Sequence, residues 1–159
     1  MELRYHTPLS PEEQLAHGLD VPQPMAIADR VRFSELDAQN HVNNKHYMEW
    51  FERARVEHLV QNFHPFYGDG PKPRVAIHSA TIRYVREMRE REDYIATART
   101  LSFRTTSVTL DQQIWSGDLR ARVQVIAVLQ YPDQSRYPLP EALRNYLLEV
   151  EGATHDTGG

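Results

Sequence analysis

Asp37, His41, Asn43 and Asn44 crowd one short stretch, Asp37-Ala-Gln-Asn40-His41-Val-Asn43-Asn44, lying between an apolar run and a long helical pattern. Asp37 supplies a carboxylate, and Asn44 enters the helix. A free helix N-terminus presents unpaired backbone N–H groups and the positive end of the macrodipole, so it can hold a developing oxyanion beside a carboxylate that serves as nucleophile or base. That pairing makes a hydrolytic site without a metal. The chain has no Gly-x-Ser-x-Gly elbow and no cysteine, which removes the serine and cysteine designs. Asp37 would then attack a carbonyl itself or activate water. The competing reading is a plain turn aspartate, the commonest role of such a residue in a loop. His41 and Asn43 read as loop-shaping hydrogen-bonding residues.

The elements that must position this stretch follow from periodicity. Met25 to Phe33 alternates as a strand, and Asn44 to about Phe63 has helical spacing, with Tyr47, Trp50, Phe51, Ala54 and Leu59 on one side. So broad an apolar arc predicts a helix wrapped by sheet. Glu49, Arg53 and Glu57 stand opposite as i,i+4 pairs, while Arg55 and His58 face the apolar side as structural residues. After Gly68-Asp69-Gly70-Pro71-Lys72-Pro73 the period changes to 2, and four strands are expected at about 74–86, 94–103, 108–115 and 119–131, with a hairpin at Ser116-Gly117-Asp118. A short helix from Glu141 to about Glu149 follows Pro138-Leu139-Pro140. Strand, long helix, then an antiparallel meander is an α+β order. Residues 1–24 form an N-terminal extension, read as loosely packed, with a short helix capped by Ser10-Pro11-Glu12-Glu13. Residues 25–150 form the domain, and the small polar tail 151–159 is expected to be disordered.

The Asp37 to Arg55 segment resembles the 4-hydroxybenzoyl-CoA thioesterase family of hotdog-fold proteins, in members carrying D-x-x-G-H-V-N-N-x-x-Y and then F-E-x-A-R. Here these positions read Asp37, Asn40, His41, Val42, Asn43, Asn44, Tyr47, then Phe51, Glu52, Ala54 and Arg55. The family's glycine is Asn40, a residue that tolerates positive φ. More loosely, Tyr84-Val-Arg86-Glu-Met88-Arg89 stands where the family writes Tyr-x-Arg-Pro-x-Arg, and the resemblance spans about residues 26–150. It implies a hotdog fold and hydrolysis of acyl-CoA thioesters to free acid and CoA. Asp37 would be nucleophile or general base, and the Asn44 backbone N–H the oxyanion donor. Tyr47, Trp50 and Phe51 are the candidate substrate-binding residues. Arg86, Arg89 and Arg91 are candidates for the CoA phosphates, although their interleaving with Glu87, Glu90 and Glu92 also suits a solvated, salt-bridged loop. A homodimer or homotetramer is implied. Two alternatives stay open: a hotdog enoyl-CoA hydratase using Asp37 with His41, and a non-catalytic acyl-CoA-binding hotdog protein.

Composition bounds the rest. A chain of 159 residues with 25% charged residues and a formal charge of −4 fits one globular domain and gives no footprint for nucleic acid. Neither a membrane span nor a signal peptide is visible, so a cytoplasmic location is the default expectation. No cofactor is called for. His41 and His46, with His58, His64 or His78, match no metal-binding spacing, so no metal is expected.

Overall fold

The computed structural model describes residues 1–157. Its centre is the helix α2, Asn44–His58. Asn43 caps it in an extended conformation, its Oδ1 accepting from Lys45 N at 3.2 Å. Tyr47, Trp50, Phe51, Ala54 and His58 are buried along it. A π turn, Leu59–Phe63, and a 3₁₀ turn, His64–Tyr67, prolong the helical region. The chain then reverses at Gly68, whose φ of 54° lies where glycine is favoured.

The strands β1 (Met25–Arg30), β2 (Arg74–Tyr84), β3 (Asp93–Phe103), β4 (Ser107–Ser116) and β5 (Asp118–Gln130) form a sheet of order β1-β3-β4-β5-β2. All these pairs are antiparallel. The predicted alternation on β5 is present: Ala121, Val123, Val125, Ala127 and Leu129 are at most 1% exposed. Burying a valine or leucine side chain contributes about 1.5–3 kcal/mol, so this row and the facing side of α2 account for much of the fold's cohesion. An antiparallel sheet wrapped round one long helix is the hotdog architecture. Among the described residues no helix is long and apolar enough to cross a membrane.

Three expectations are corrected by long-range contacts. Arg53 does not pair along its own helix: its Nη1 donates to Asp29 Oδ2 on β1 at 2.6 Å. The N-terminal extension is not loose. His6 N and Leu9 N donate to the carbonyls of Ala28 and Ala26, which covers the β1 edge, and Leu9 and Leu19 join Ala26, Ala28 and Ile95 in a second small core. Its helix α1, Pro11–Ala16, carries the expected Ser10–Glu13 capping box.

The tail is also ordered as far as it is described. Thr154–His155 forms β6, parallel to β3, and Ala153 is buried. Glu151 is fully buried, accepting from Thr100 N at 2.8 Å and bonded to His58 Nε2 at 2.8 Å. Burial alone would raise the Glu151 carboxyl, but the His58 and Thr100 bonds outweigh it and hold the carboxyl below its usual range. Residues 158–159, part of the same expectation, lie outside the described residues. The helix α3 occupies Glu141–Glu149, as the sequence suggests, with Leu143 and Leu147 buried.

Candidate active site

Asp37 sits in a tight loop that closes on itself. Its backbone N donates to His41 O at 2.8 Å, and its Oδ1 accepts from Gln39 N at 2.8 Å and His41 N at 3.2 Å. Asn40 takes φ of 62°, filling the position where the resembled family has glycine. Oδ1 therefore anchors the loop, while Oδ2 has no partner among the described residues and stays available. The loop is held from behind: Asn43 N donates to Glu35 O at 2.9 Å, and Val42 N to Met88 O at 3.0 Å.

At the helix entrance, Lys45 N is bonded to Asn43 Oδ1 and His46 N to Asn43 O. The Asn44 N–H has no acceptor among the described residues. Asp37 and Asn44 line one open pocket of about 340 Å³ together with Gln39, His41, Tyr47, Tyr84 and Arg86. Asp37 and the first residue of α2 thus border a common space at a helix N-terminus.

Tyr47 borders this pocket but is only 3% exposed; its hydroxyl accepts from Met88 N at 3.2 Å. Burial raises its phenol pKa, so the hydroxyl keeps its proton at neutral pH. His41 Nδ1 lies 2.9 Å from Glu87 Oε2, which joins the Asp37 loop to the segment after β2.

Trp50 and Phe51, read as substrate-binding, sit elsewhere. Phe51 is fully buried in the core, and its carbonyl accepts from Gln112 Nε2 at 2.7 Å. Trp50 stacks on Tyr94 with ring centroids 4.0 Å apart and donates to Glu35 Oε2 at 2.7 Å. The reason is axial position: residues 50 and 51 share the buried face of Tyr47 but lie about one helical turn further from the helix entrance.

The three arginines separate as well. Arg86 lines the pocket, with Nη1 on Asp118 at 2.8 Å. Arg89, paired with Glu87 at 3.3 Å, lines an adjoining depression with Arg86 and Arg120. Arg91 borders neither, is 84% exposed and stands 4.0 Å from Glu90.

Arg120 was not singled out from sequence. It is the hub of this corner, bonding Asp118, Glu92 and the carbonyls of Glu87 and Ser116. The available signal was an arginine inside an apolar alternating strand, opposite a glutamate-rich loop. Arg55, read as structural, donates to Gln112 Oε1 at 2.9 Å, and burial lowers its pKa.

Solved structures share this architecture. A thioesterase superfamily protein from Jannaschia sp. CCS1 is 37% identical, with a TM-score of 0.85, over 96% of this chain and 98% of that one. A predicted thioesterase from Bacillus stearothermophilus is 27% identical, with a TM-score of 0.67, over 78% of this chain and 93% of its own. A thioesterase from Thermus thermophilus, solved with coenzyme A and zinc, has the same fold at 22% identity and a TM-score of 0.68, over 79% of this chain and 98% of that chain. No curated protein matches the chain. The thioesterase-like superfamily profile matches residues 31–147, from the end of β1 through most of α3 and across the whole Asp37 pocket, and the chain belongs to that superfamily.

Proposed function

We propose that the protein hydrolyses acyl-CoA thioesters at the Asp37 pocket, in the manner of the 4-hydroxybenzoyl-CoA thioesterase group that its motif resembles. The observation that carries this reading is the shared pocket of Asp37, with a free Oδ2, and the unbonded Asn44 N–H. The thioester carbonyl oxygen accepts from Asn44 N–H, and charge developing there is met by the helix N-terminus. Asp37 then acts in one of two ways. As nucleophile, its oxygen bonds the carbonyl carbon, the C–S bond breaks, the thiolate leaves as CoA, and water hydrolyses the mixed anhydride. As base, it takes a proton from water, whose hydroxide adds to the carbon before the same C–S bond breaks. Membership of the superfamily supports a thioester hydrolase, and the coenzyme A bound by the Thermus thioesterase of the same fold is consistent with a CoA leaving group.

Arg86, on the pocket lining, would meet the CoA phosphates, and Tyr47 and Tyr84 would border the acyl group. The site is open on the single chain, and β2 is an uncovered sheet edge carrying exposed Ile77 and Tyr84. Both features support pairing of two chains to close the groove. The test is a panel of acyl-CoA substrates followed through thiol release, with crotonyl-CoA monitored in parallel for hydration. Thiol release with at least one class of acyl group, and no hydration, is expected. Hydration without thiol release would establish the hydratase, and binding without turnover the non-catalytic alternative.

A further inference from the structure

Beside the proposed pocket lies a second convergence of donors that the hydrolysis does not use. Glu35, in the 3₁₀ turn Phe33–Glu35, and His46 and Glu49, on the first turns of α2, bring one ligand atom each to within 4.8 Å of one another. His46 Nδ1 and Glu49 Oε2 are already 3.1 Å apart. Around zinc, bonds of about 2.0–2.2 Å place neighbouring ligand atoms roughly 3.3 Å apart. The Glu49 side chain is 62% exposed.

The surroundings of Glu35 resemble those of a metal-ligating carboxylate. Its Oε2 accepts from Trp50 Nε1 at 2.7 Å and its Oε1 from Arg32 N at 2.8 Å. One donor on each oxygen fixes the carboxylate plane and leaves further lone pairs for a cation, the arrangement that outer-shell partners impose on metal ligands. The neighbouring cationic side chains are committed elsewhere: Arg53 and Arg32 both point to Asp29, at 2.6 and 3.5 Å. Two carboxylates thus converge on one imidazole without a lysine or arginine partner among the described residues. The Trp50 and Arg32 bonds hold Glu35 in place, so it presents its carboxylate to the His46–Glu49 pair as a preset group.

We propose that Glu35, His46 and Glu49 bind a divalent transition-metal ion of the zinc class. An imidazole with two carboxylates favours such an ion over magnesium or calcium, which take all-oxygen sites. Three protein donors leave coordination positions to water. Residues 35 and 46 flank the Asp37 loop, so the ion staples its two ends together and stabilises the helix entrance. The sequence shows no metal motif because Glu35 reaches the other two donors across that loop, not at a fixed spacing.

The test uses chelator-treated full-length protein titrated with cobalt(II) chloride by visible absorbance and with zinc chloride by calorimetry. The wild type is expected to take up one cobalt per chain, with ligand-field bands that zinc abolishes. Zinc should also raise the melting temperature, because it binds the folded state. His46→Gln and Glu49→Gln should each weaken zinc binding at least tenfold and remove the thermal shift, while His78→Gln, at a surface histidine away from the cluster, keeps both. Absence of cobalt bands, or wild-type zinc affinity in both His46→Gln and Glu49→Gln, would overturn the proposal. None of these readouts depends on thioester hydrolysis.

Discussion

Asp37 divides its carboxylate between two roles: Oδ1 is consumed in holding the loop, and Oδ2 is left for chemistry. His41 contributes to that loop mainly through its backbone, whose N–H and carbonyl both meet Asp37. Its ring pairs with Glu87 at a site where the two side chains are 35% and 47% exposed, and such a pair is worth about 0–1 kcal/mol. His41→Gln should therefore retain measurable thioester hydrolysis; complete loss with the fold intact would give the ring a chemical role and favour the hydratase. Tyr47 is a different case. Removing its hydroxyl leaves the buried Met88 N–H without an acceptor, so Tyr47→Phe should cost about 1–3 kcal/mol. Denaturant unfolding measures this directly.

At the scale of elements, the entrance of α2 depends on its cap. Asn43→Ala should cost about 1 kcal/mol and lower kcat more than it raises KM, because a frayed first turn no longer fixes the Asn44 N–H. Glu151 ties the tail to α2 and β3. Glu151→Ala should cost about 3–5 kcal/mol, the usual effect of breaking a buried pair, which in a chain of this size is roughly 6–20 °C in Tm. The carboxyl is depressed in the folded state, so its stabilisation is full above the unfolded value of about 4.3 and is lost as pH falls through the lower folded value. The isosteric Glu151→Gln should flatten that acid limb of the stability profile; an unchanged limb would contradict the assignment.

These same elements show what the sequence could reveal. The period-2 run of β5 and the apolar arc of α2 were legible because one face of each is buried and the other is not, whereas the middles of β3 and β4 are buried on both faces. The turn that Asp37 makes with Gln39 and His41, and the Asn43 cap, were legible because those particular bonds are local. Composition made residues 151–157 look like a loose tail, and nothing in it signals that Glu151 is matched by His58, far away in the chain. Arg53 choosing Asp29 over its helix neighbours, and Arg120 organising the loop after β2, are likewise products of tertiary placement. Trp50 and Phe51 lie outside the lining of the Asp37 pocket for a related reason. Helical spacing tells which residues share a face, but the sheet decides which end of that face remains open.

For the whole molecule, the two sheet edges are treated differently. The β1 edge is covered by the N-terminal arm, whereas β2 is paired on one side only and exposes Ile77, 45% accessible, with Tyr84 at 43%. An uncovered apolar edge invites pairing with a second chain. Light scattering should therefore give a dimer or a larger even assembly, and Ile77→Lys should shift it towards monomer with loss of hydrolysis. A fully active wild-type monomer would refute this arrangement.

The most direct test of the central claim is acyl-CoA hydrolysis by Asp37→Asn beside the wild type. Asparagine keeps the Oδ1 bonds to Gln39 N and His41 N while removing the charge and basicity of the carboxylate. Activity should fall by at least about 10²-fold, as on losing a general base, with Tm nearly unchanged. Near-wild-type hydrolysis by a folded Asp37→Asn protein would contradict the account.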